Sequence, residues 1–192
     1  MRKSHELIQL EVCERRDFRI DKALANRFYT LSRGFQGERT VYEWFKKYSK
    51  QNLFIVKDYW FYHGKNMQID LLAIINNHWI VVEVKNYYGH FEYRNNECYL
   101  NGKLMSDNYF HQLDHRTQRL RHIANELNPS IEVESVMVFI DEHCDVNIQS
   151  TPSTKVIQRH QLKLYIESLA KSTAQRDGEL SKSKIMKHLD KY

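Results

Sequence analysis

Proline is almost missing from this chain, with two residues in 192, and glycine is scarce, with six. So little of either excludes flexible Pro- or Gly-rich linkers and the low-complexity composition of a disordered protein. Cysteine is equally sparse. Cys13, Cys98 and Cys144 are odd in number and widely spaced, which gives neither a disulfide framework nor a zinc ribbon. Free thiols fit a reducing interior. No apolar run approaches the roughly 20 residues needed to span a bilayer. The opening Met1-Arg2-Lys3-Ser4-His5-Glu6 lacks the apolar core of a signal peptide. The expected location is therefore cytoplasmic, with no membrane partner. No Gly-rich strand-to-helix turn and no GKS or GKT loop occurs, which argues against a nucleotide-fuelled enzyme. No internal repeat is visible.

Aromatic residues are plentiful: 12 Tyr, 9 Phe and 3 Trp. The length fits one folded domain with extensions and a sizeable core. Lys and Arg outnumber Asp and Glu by 29 to 24, and the pI is near 9.0. That balance is compatible with a polyanionic partner and weak as support on its own.

Residues 1–33 alternate charge with apolar positions (Leu7, Ile8, Leu10, Val12, then Phe18, Ile20, Leu24, Phe28). They read as two short helices, or a helix and a loop, forming an N-terminal extension. Gly34-Phe35-Gln36-Gly37-Glu38 follows, and then Val41, Trp44, Phe45 and Tyr48 fall on one helical face. Glu38 lies three residues before Val41 and so on that inward face. An acid in a helix's first turn has an ordinary explanation in the macrodipole, but the inward direction favours a site. A strand is expected from Leu53 to Tyr62, with His63-Gly64-Lys65-Asn66 turning into the next. Gly89 to Tyr93 and Glu97 to Leu100 flank Asn95-Asn96 as an accessory hairpin. A helix over about 107–127 carries the stripe Phe110, Leu113, Thr117, Leu120, Ala124 and Leu127, and Pro129 stops it. Its polar face holds Gln112, His115, Arg116, Arg119 and His122; solvent is the better reading for His122 and Arg121, less so for Gln112 and Arg116. Val133 to Ile140 is a strong strand. Asp141-Glu142-His143 after it could ligate a metal, but a polar loop is the commoner outcome. A short strand at Thr154 to Ile157 and a helix at Gln161 to Leu169 complete the domain, residues 34–170. Residues 171–192 form a polar, Lys-rich tail in which Ile185, Met186 and Leu189 hint at one closing helix. The expected fold is α/β, a central mixed sheet flanked by helices.

One stretch is anomalous. Residues 68–85 hold two apolar runs, Ile69-Asp70-Leu71-Leu72-Ala73-Ile74-Ile75 and Trp79-Ile80-Val81-Val82-Glu83-Val84-Lys85, joined by Asn76-Asn77-His78. They read as a tight hairpin of strands buried on both faces. Asp70, Glu83 and Lys85 interrupt them, and charges are almost never fully buried unless paired or bound to a metal. Glu83 and Lys85 leave the same strand face, roughly 7 Å apart, and antiparallel pairing brings Asp70 towards Glu83. Oxygen ligands of this kind suit Mg²⁺ or Mn²⁺. Asp70 and Glu83 would supply carboxylates, the carbonyl of Val84 a third oxygen, and Glu38 a hold on metal-bound water or a second ion. Lys85 would orient the attacking water and stabilise charge building on phosphorus, with Gln112 adding an uncharged hydrogen bond. That is equipment for phosphodiester hydrolysis.

Asp, then Glu-x-Lys, on a hairpin resembles the PD-(D/E)XK nuclease superfamily. Gly34-Phe35-Gln36-Gly37-Glu38, Gln68-Ile69-Asp70, Val82-Glu83-Val84-Lys85-Asn86-Tyr87-Tyr88-Gly89 and Gln112, in that order, resemble the nuclease-related domain (NERD) family. The resemblance implies a restriction-endonuclease-like αβββαβ core and Mg²⁺-dependent cleavage of DNA. It makes Asp70, Glu83 and Lys85 the catalytic core, with Glu38 and Gln112 in support. The segment Ser106 to His111 departs from the family pattern in lacking a proline. A nucleic-acid-binding module with the same fold but no turnover is the alternative. His90, Tyr87, Tyr88, Arg94 and Lys103, on or near the accessory hairpin, could touch a backbone or stack on bases, and an edge strand or the N-terminal extension offers a surface for a homodimer.

Overall fold

The structure is a computed structural model that describes residues 3–16, 21–49, 53–62, 64–172 and 180–192. Phe18, Ile20 and His63, invoked above, lie outside the described residues, as does the stretch 173–179.

Two helices open the chain. Helix α1, His5–Arg15, is capped by Ser4, whose hydroxyl accepts from the Leu7 N–H at 3.2 Å. Helix α2, Lys22–Tyr48, begins where the Asp21 carboxylate accepts from the Leu24 N–H at 2.8 Å, satisfying one of the free N–H groups of the first turn. It runs 27 residues without a break. Residues 33 and 34 therefore fall mid-helix, and Gly34 and Gly37 end nothing. The helix's buried positions, Gly37, Val41 and Phe45, recur every fourth residue and face the sheet.

The apolar runs then form the central sheet. Strands β1 (Leu53–Tyr62), β2 (Asn66–Ile75) and β3 (His78–Lys85) make an antiparallel meander. The two-residue turn between β2 and β3 uses Asn76 at φ 54°, a left-handed conformation that asparagine tolerates. Strand β4 (Gly89–Arg94), β5 (Glu97–Leu100) and β6 (Lys103–Leu104) follow, then helix α3, Tyr109–Leu127, capped by Asn108. Strand β7 (Glu132–Phe139) returns parallel to β3. Strands β8 (Cys144–Ile148) and β9 (Lys155–Gln158) and helices α4 (Arg159–Ser172) and α5 (Lys182–Leu189) complete the described chain.

Among the described residues the main sheet has the order β1-β2-β3-β7-β9, and a smaller sheet has the order β6-β5-β4-β8. The main sheet is mixed, and with β4–β6 set aside in the smaller sheet, α2-β1-β2-β3-α3-β7 has the expected αβββαβ order. One face packs Leu71, Ala73, Ile80, Val82 and Val138 against Val41 and Phe45 of α2 and Leu162 and Ile166 of α4. The other packs Ile69, Leu72, Trp79, Val81 and Met137 against Leu113, Leu120 and Ile123 of α3 and Ile185 and Leu189 of α5. Burying a large side chain contributes about 1.5–3 kcal/mol, and the central strands bury theirs on both faces.

Two features differ from expectation. The accessory hairpin is part of a four-stranded sheet, because β8 pairs in parallel with β4 from Gly89↔Cys144 to Tyr93↔Ile148. The polar C-terminal stretch also takes part in the core. Beyond the buried Ile185 and Leu189, Tyr59 donates to the Leu189 carbonyl at 3.0 Å, and the Tyr62 N–H donates to that of Tyr192 at 2.6 Å.

Candidate active site

The ladder between β2 and β3 ends at Leu71↔Val82. Beyond it β2 stays with β1, as far as Tyr62↔Asn66, and β3 stays with β7, as far as Lys85↔Phe139. The two strands thus part, and the next residue on each is an acid, Asp70 and Glu83. Asp70 bridges the gap: its Oδ2 accepts the Val84 N–H at 3.1 Å, a bond that would otherwise go to a neighbouring strand.

Glu83 and Lys85 are 7% and 8% exposed. Lys85 Nζ donates to Glu83 Oε1 at 2.8 Å, and its charge stands 3.6 Å from the centre of the Tyr109 ring. Glu83 Oε2 accepts from Arg116 Nη1 at 2.7 Å. Burial, with Glu83 and Glu38 nearby, pushes the Asp70 carboxyl up to about 8, against the pull of the Val84 N–H and Lys85. Burial also pushes Glu38 up to about 7, with Asp58 and Glu83 adding to the rise and Lys85 opposing it. The cluster is short of positive charge.

Four of the expected residues, Glu38, Asp70, Glu83 and Lys85, thus share one electrostatic cluster, reached from α2, β2 and β3. Gln112 is differently engaged: its Nε2 donates to Asp107 Oδ1 at 2.9 Å, at the entrance to α3. Arg116, one turn further along, is the α3 residue that contacts Glu83. The sequence set Arg116 apart from the solvated part of its polar face but gave it no role in the site. Asp58 was also missed. It stands opposite Asp70 on β1, between the pairs Lys57↔Leu71 and Tyr59↔Ile69, with φ 51°. Its Oδ1 accepts from Trp60 Nε1 at 2.9 Å and from Gln68 Nε2 at 2.7 Å. Asp141-Glu142-His143, at the loop after β7, belongs to a separate cluster with Arg33.

Among the described residues no group of three or more His, Cys, Asp or Glu is gathered closely enough to hold a metal ion. A site with two strand carboxylates and excess negative charge nevertheless fits a small hard cation, because Mg²⁺ keeps several waters and takes one or two protein carboxylates. The donors available are all oxygens.

The model of the nuclease-related domain matches residues 33–140, more than half of the chain. The chain belongs to the NERD family. All of the cluster lies inside the matched span. A solved structure similar to this NERD chain is the small subunit of the heterodimeric restriction endonuclease R.BspD6I, at 17% identity and a TM-score of 0.32, over 97% of this chain and 86% of that one. No curated protein matches the sequence. Among the described residues no helix of the NERD chain is long and apolar enough to cross a membrane.

Proposed function

We propose that this protein is a metal-dependent nuclease that hydrolyses phosphodiester bonds in DNA, with residues 34–170 as the nuclease unit and Mg²⁺ or Mn²⁺ as the cofactor. The observation that carries the proposal is the bond from the Val84 N–H to Asp70 at the parting of β2 and β3, beside the buried Glu83–Lys85 pair. Asp70 and Glu83 would hold the cation, and Glu38 would hold water around it. A strand residue's N–H and C=O leave by the same edge, so the Val84 carbonyl would face the Asp70 side as a further oxygen. When bound, the cation supplies Lewis-acid polarisation of a phosphoryl oxygen.

Lys85 has two tasks in this scheme. Its ammonium orients a water for in-line attack and stabilises the charge that develops on the phosphoryl oxygens. Tyr109 and Glu83 restrict where that ammonium can go, which preorganises it. Arg116 holds the Glu83 carboxylate from the far side, and Gln112 supports the site indirectly by tying the start of α3 through Asp107. Three unpaired thiols, on Cys13, Cys98 and Cys144, suit a cytoplasmic setting. A homodimer through the N-terminal helices or the β1 edge, where Trp60 and Tyr62 are exposed, would bring two such sites together.

Supercoiled and linear DNA with Mg²⁺ or Mn²⁺ test the proposal. Wild type should cut, and Lys85→Ala should lose about 10²–10³-fold in rate, as when one transition-state donor is removed. Undiminished cleavage by the variant sinks the assignment of Lys85. A second reading has its own support: both Glu83 oxygens are already held by cations, as suits a nucleic-acid-binding module without turnover. DNA retained with a steep salt dependence but never cut selects it.

A further inference from the structure

A cavity of about 410 Å³ opens beside Val84 and Lys85, between α2 and the segment that leads from β3 into β4. Its volume lies in the range of small-ligand sites. Tyr29, Arg33 and Gly34 form one wall, and Tyr87, Tyr88 and Leu100 the other. Tyr29 is 60% and Tyr88 64% exposed, so two aromatic side chains stand at its sides with much of their surface in water.

Two details indicate that the space is kept open. Gly34 sits in the middle of a 27-residue helix, and a Cβ there would meet nothing within 4 Å. Glycine at a helix interior costs about 1 kcal/mol relative to alanine, and packing gives no reason for it. Tyr88, for its part, is carried on a fixed backbone. Gly89 has φ 96°, and a Cβ on it would lie 2.1 Å from Asn101 Oδ1. That oxygen accepts the His90 N–H at 2.8 Å, the Asn101 N–H donates to the His90 carbonyl at 2.7 Å, and Asn101 Nδ2 donates to the Tyr88 carbonyl at 3.4 Å. An exposed aromatic on a tethered main chain loses little freedom on binding.

Building on the proposed nuclease activity, we infer that this cavity receives the unpaired base of the nucleotide next to the scissile phosphate, making the substrate class single-stranded DNA or a frayed DNA end. Bases present π faces for which aromatic side chains are sequence-tolerant platforms. Arg33 and Lys85 also line the space, each paired with a carboxylate, Asp141 and Glu83, so the aromatic walls are what the cavity offers a base, and it is continuous with Lys85 itself. A duplex keeps its bases stacked and would have to give one up to fill it.

The test uses the full chain in EDTA, with fluorescein-labelled oligo-dT and a blunt duplex of the same length, read by anisotropy; cleavage is then measured in Mn²⁺. Wild type should bind the single strand at least about tenfold more tightly than the duplex, given the strength of base–aromatic stacking. Gly34→Leu fills the cavity and Tyr88→Ala removes a wall; each should weaken oligo-dT binding about fivefold or more and leave duplex binding unchanged. In cleavage both should raise KM with kcat retained. Gly34→Leu should fold at least as well as wild type, since leucine favours helix, and a thermal melt confirms this. Equal affinity of wild type for both DNAs, or variants that bind like wild type, overturns the inference. Cleavage that Lys85→Ala abolishes but these variants do not touch removes the cavity's role and keeps the nuclease reading. Oligo-dT binding that the variants weaken, without cleavage by any form, does the reverse. Neither binding nor cleavage removes both.

Discussion

Two charged clusters sit side by side where β3 ends, and they are built on opposite terms. In one, Arg33 donates to Asp141 at 2.5 Å and to the Asn86 carbonyl at 2.8 Å, while Asn86 Nδ2 returns a bond to the Arg33 carbonyl at 2.7 Å. Burial alone would raise Asp141, yet the His143 N–H and Arg33 outweigh it and hold the carboxyl below its usual range. In the other, burial drives Asp70 and Glu38 upward, with Glu83 and Glu38 adding to the rise at Asp70 and Asp58 and Glu83 adding to it at Glu38. The first cluster is electrostatically satisfied and serves as a lock between α2 and the end of β3. The second keeps like charges together in a folded protein, and such frustration collects where chemistry is done. Gly37 makes the lock tight: a Cβ there would come within 2.9 Å of Asn86 Cβ and 3.2 Å of Ile140.

That contrast can be broken from either side. The largest effect is expected for Asp70→Asn on cleavage, a loss of at least about 10²-fold in rate with the fold retained, measured on linear DNA in Mg²⁺. Next comes Arg33→Ala, which takes the guanidinium from the Asn86 carbonyl and from Asp141 Oδ2 and leaves Asp141 with the His143 N–H. It should cost about 2 kcal/mol of unfolding free energy by urea titration, whereas removing the charge of Asp70 from the strained cluster should not. A third difference is one of pH. Asp70 and Glu38 bind protons more tightly folded than unfolded, so without divalent cation they destabilise the fold as pH rises. The loss should begin above the unfolded carboxylate range near 4, and level off above about 8, where both stay ionised in either state. Asp70→Asn should therefore melt higher than wild type at pH 8 in EDTA, by about 2–4 °C for each kcal/mol relieved, and the gap should close towards pH 4. Added Mg²⁺ should raise the wild-type melting temperature and leave the variant's unmoved. The smallest effect belongs to Gln112→Ala. Its partner Asp107 is exposed, so less than about 0.5 kcal/mol should be lost, while Arg116→Ala, which strips a buried carboxylate of one cation, should lose more.

How much of this was readable beforehand follows from the kind of signal each residue gives. Asp70, Glu83 and Lys85 stand out because charge is out of place in strands buried on both faces, and the hairpin geometry then brings them together. Glu38 stands out by its phase on an apolar helical face. The helix itself hides more: Thr30 and Ser32 are as able to cap as Asp21, and glycine at positions 34 and 37 reads as a boundary, so the start at Lys22 does not stand out. Asp58 gave no signal and Arg116 only a partial one, as a residue on the early part of α3, for a different reason. An arginine on a polar helix face, or an aspartate on an edge strand, is the commonest surface residue there is, and only tertiary placement reveals that one reaches Glu83 and the other faces Asp70. Strand β8 escaped because residues 144–148 are short and half polar, and its pairing partner lies some 55 residues earlier, at Gly89 to Tyr93. Long-range pairing leaves no local trace.

The unbroken course of α2 has a practical consequence for anyone joining this unit to another protein. The family's match begins at residue 33, which invites a cut there. Such a cut would sever the helix twelve residues past its Asp21 cap, take away Tyr29 and Thr30, and leave Arg33 on a frayed first turn. The usable joint lies ahead of Asp21.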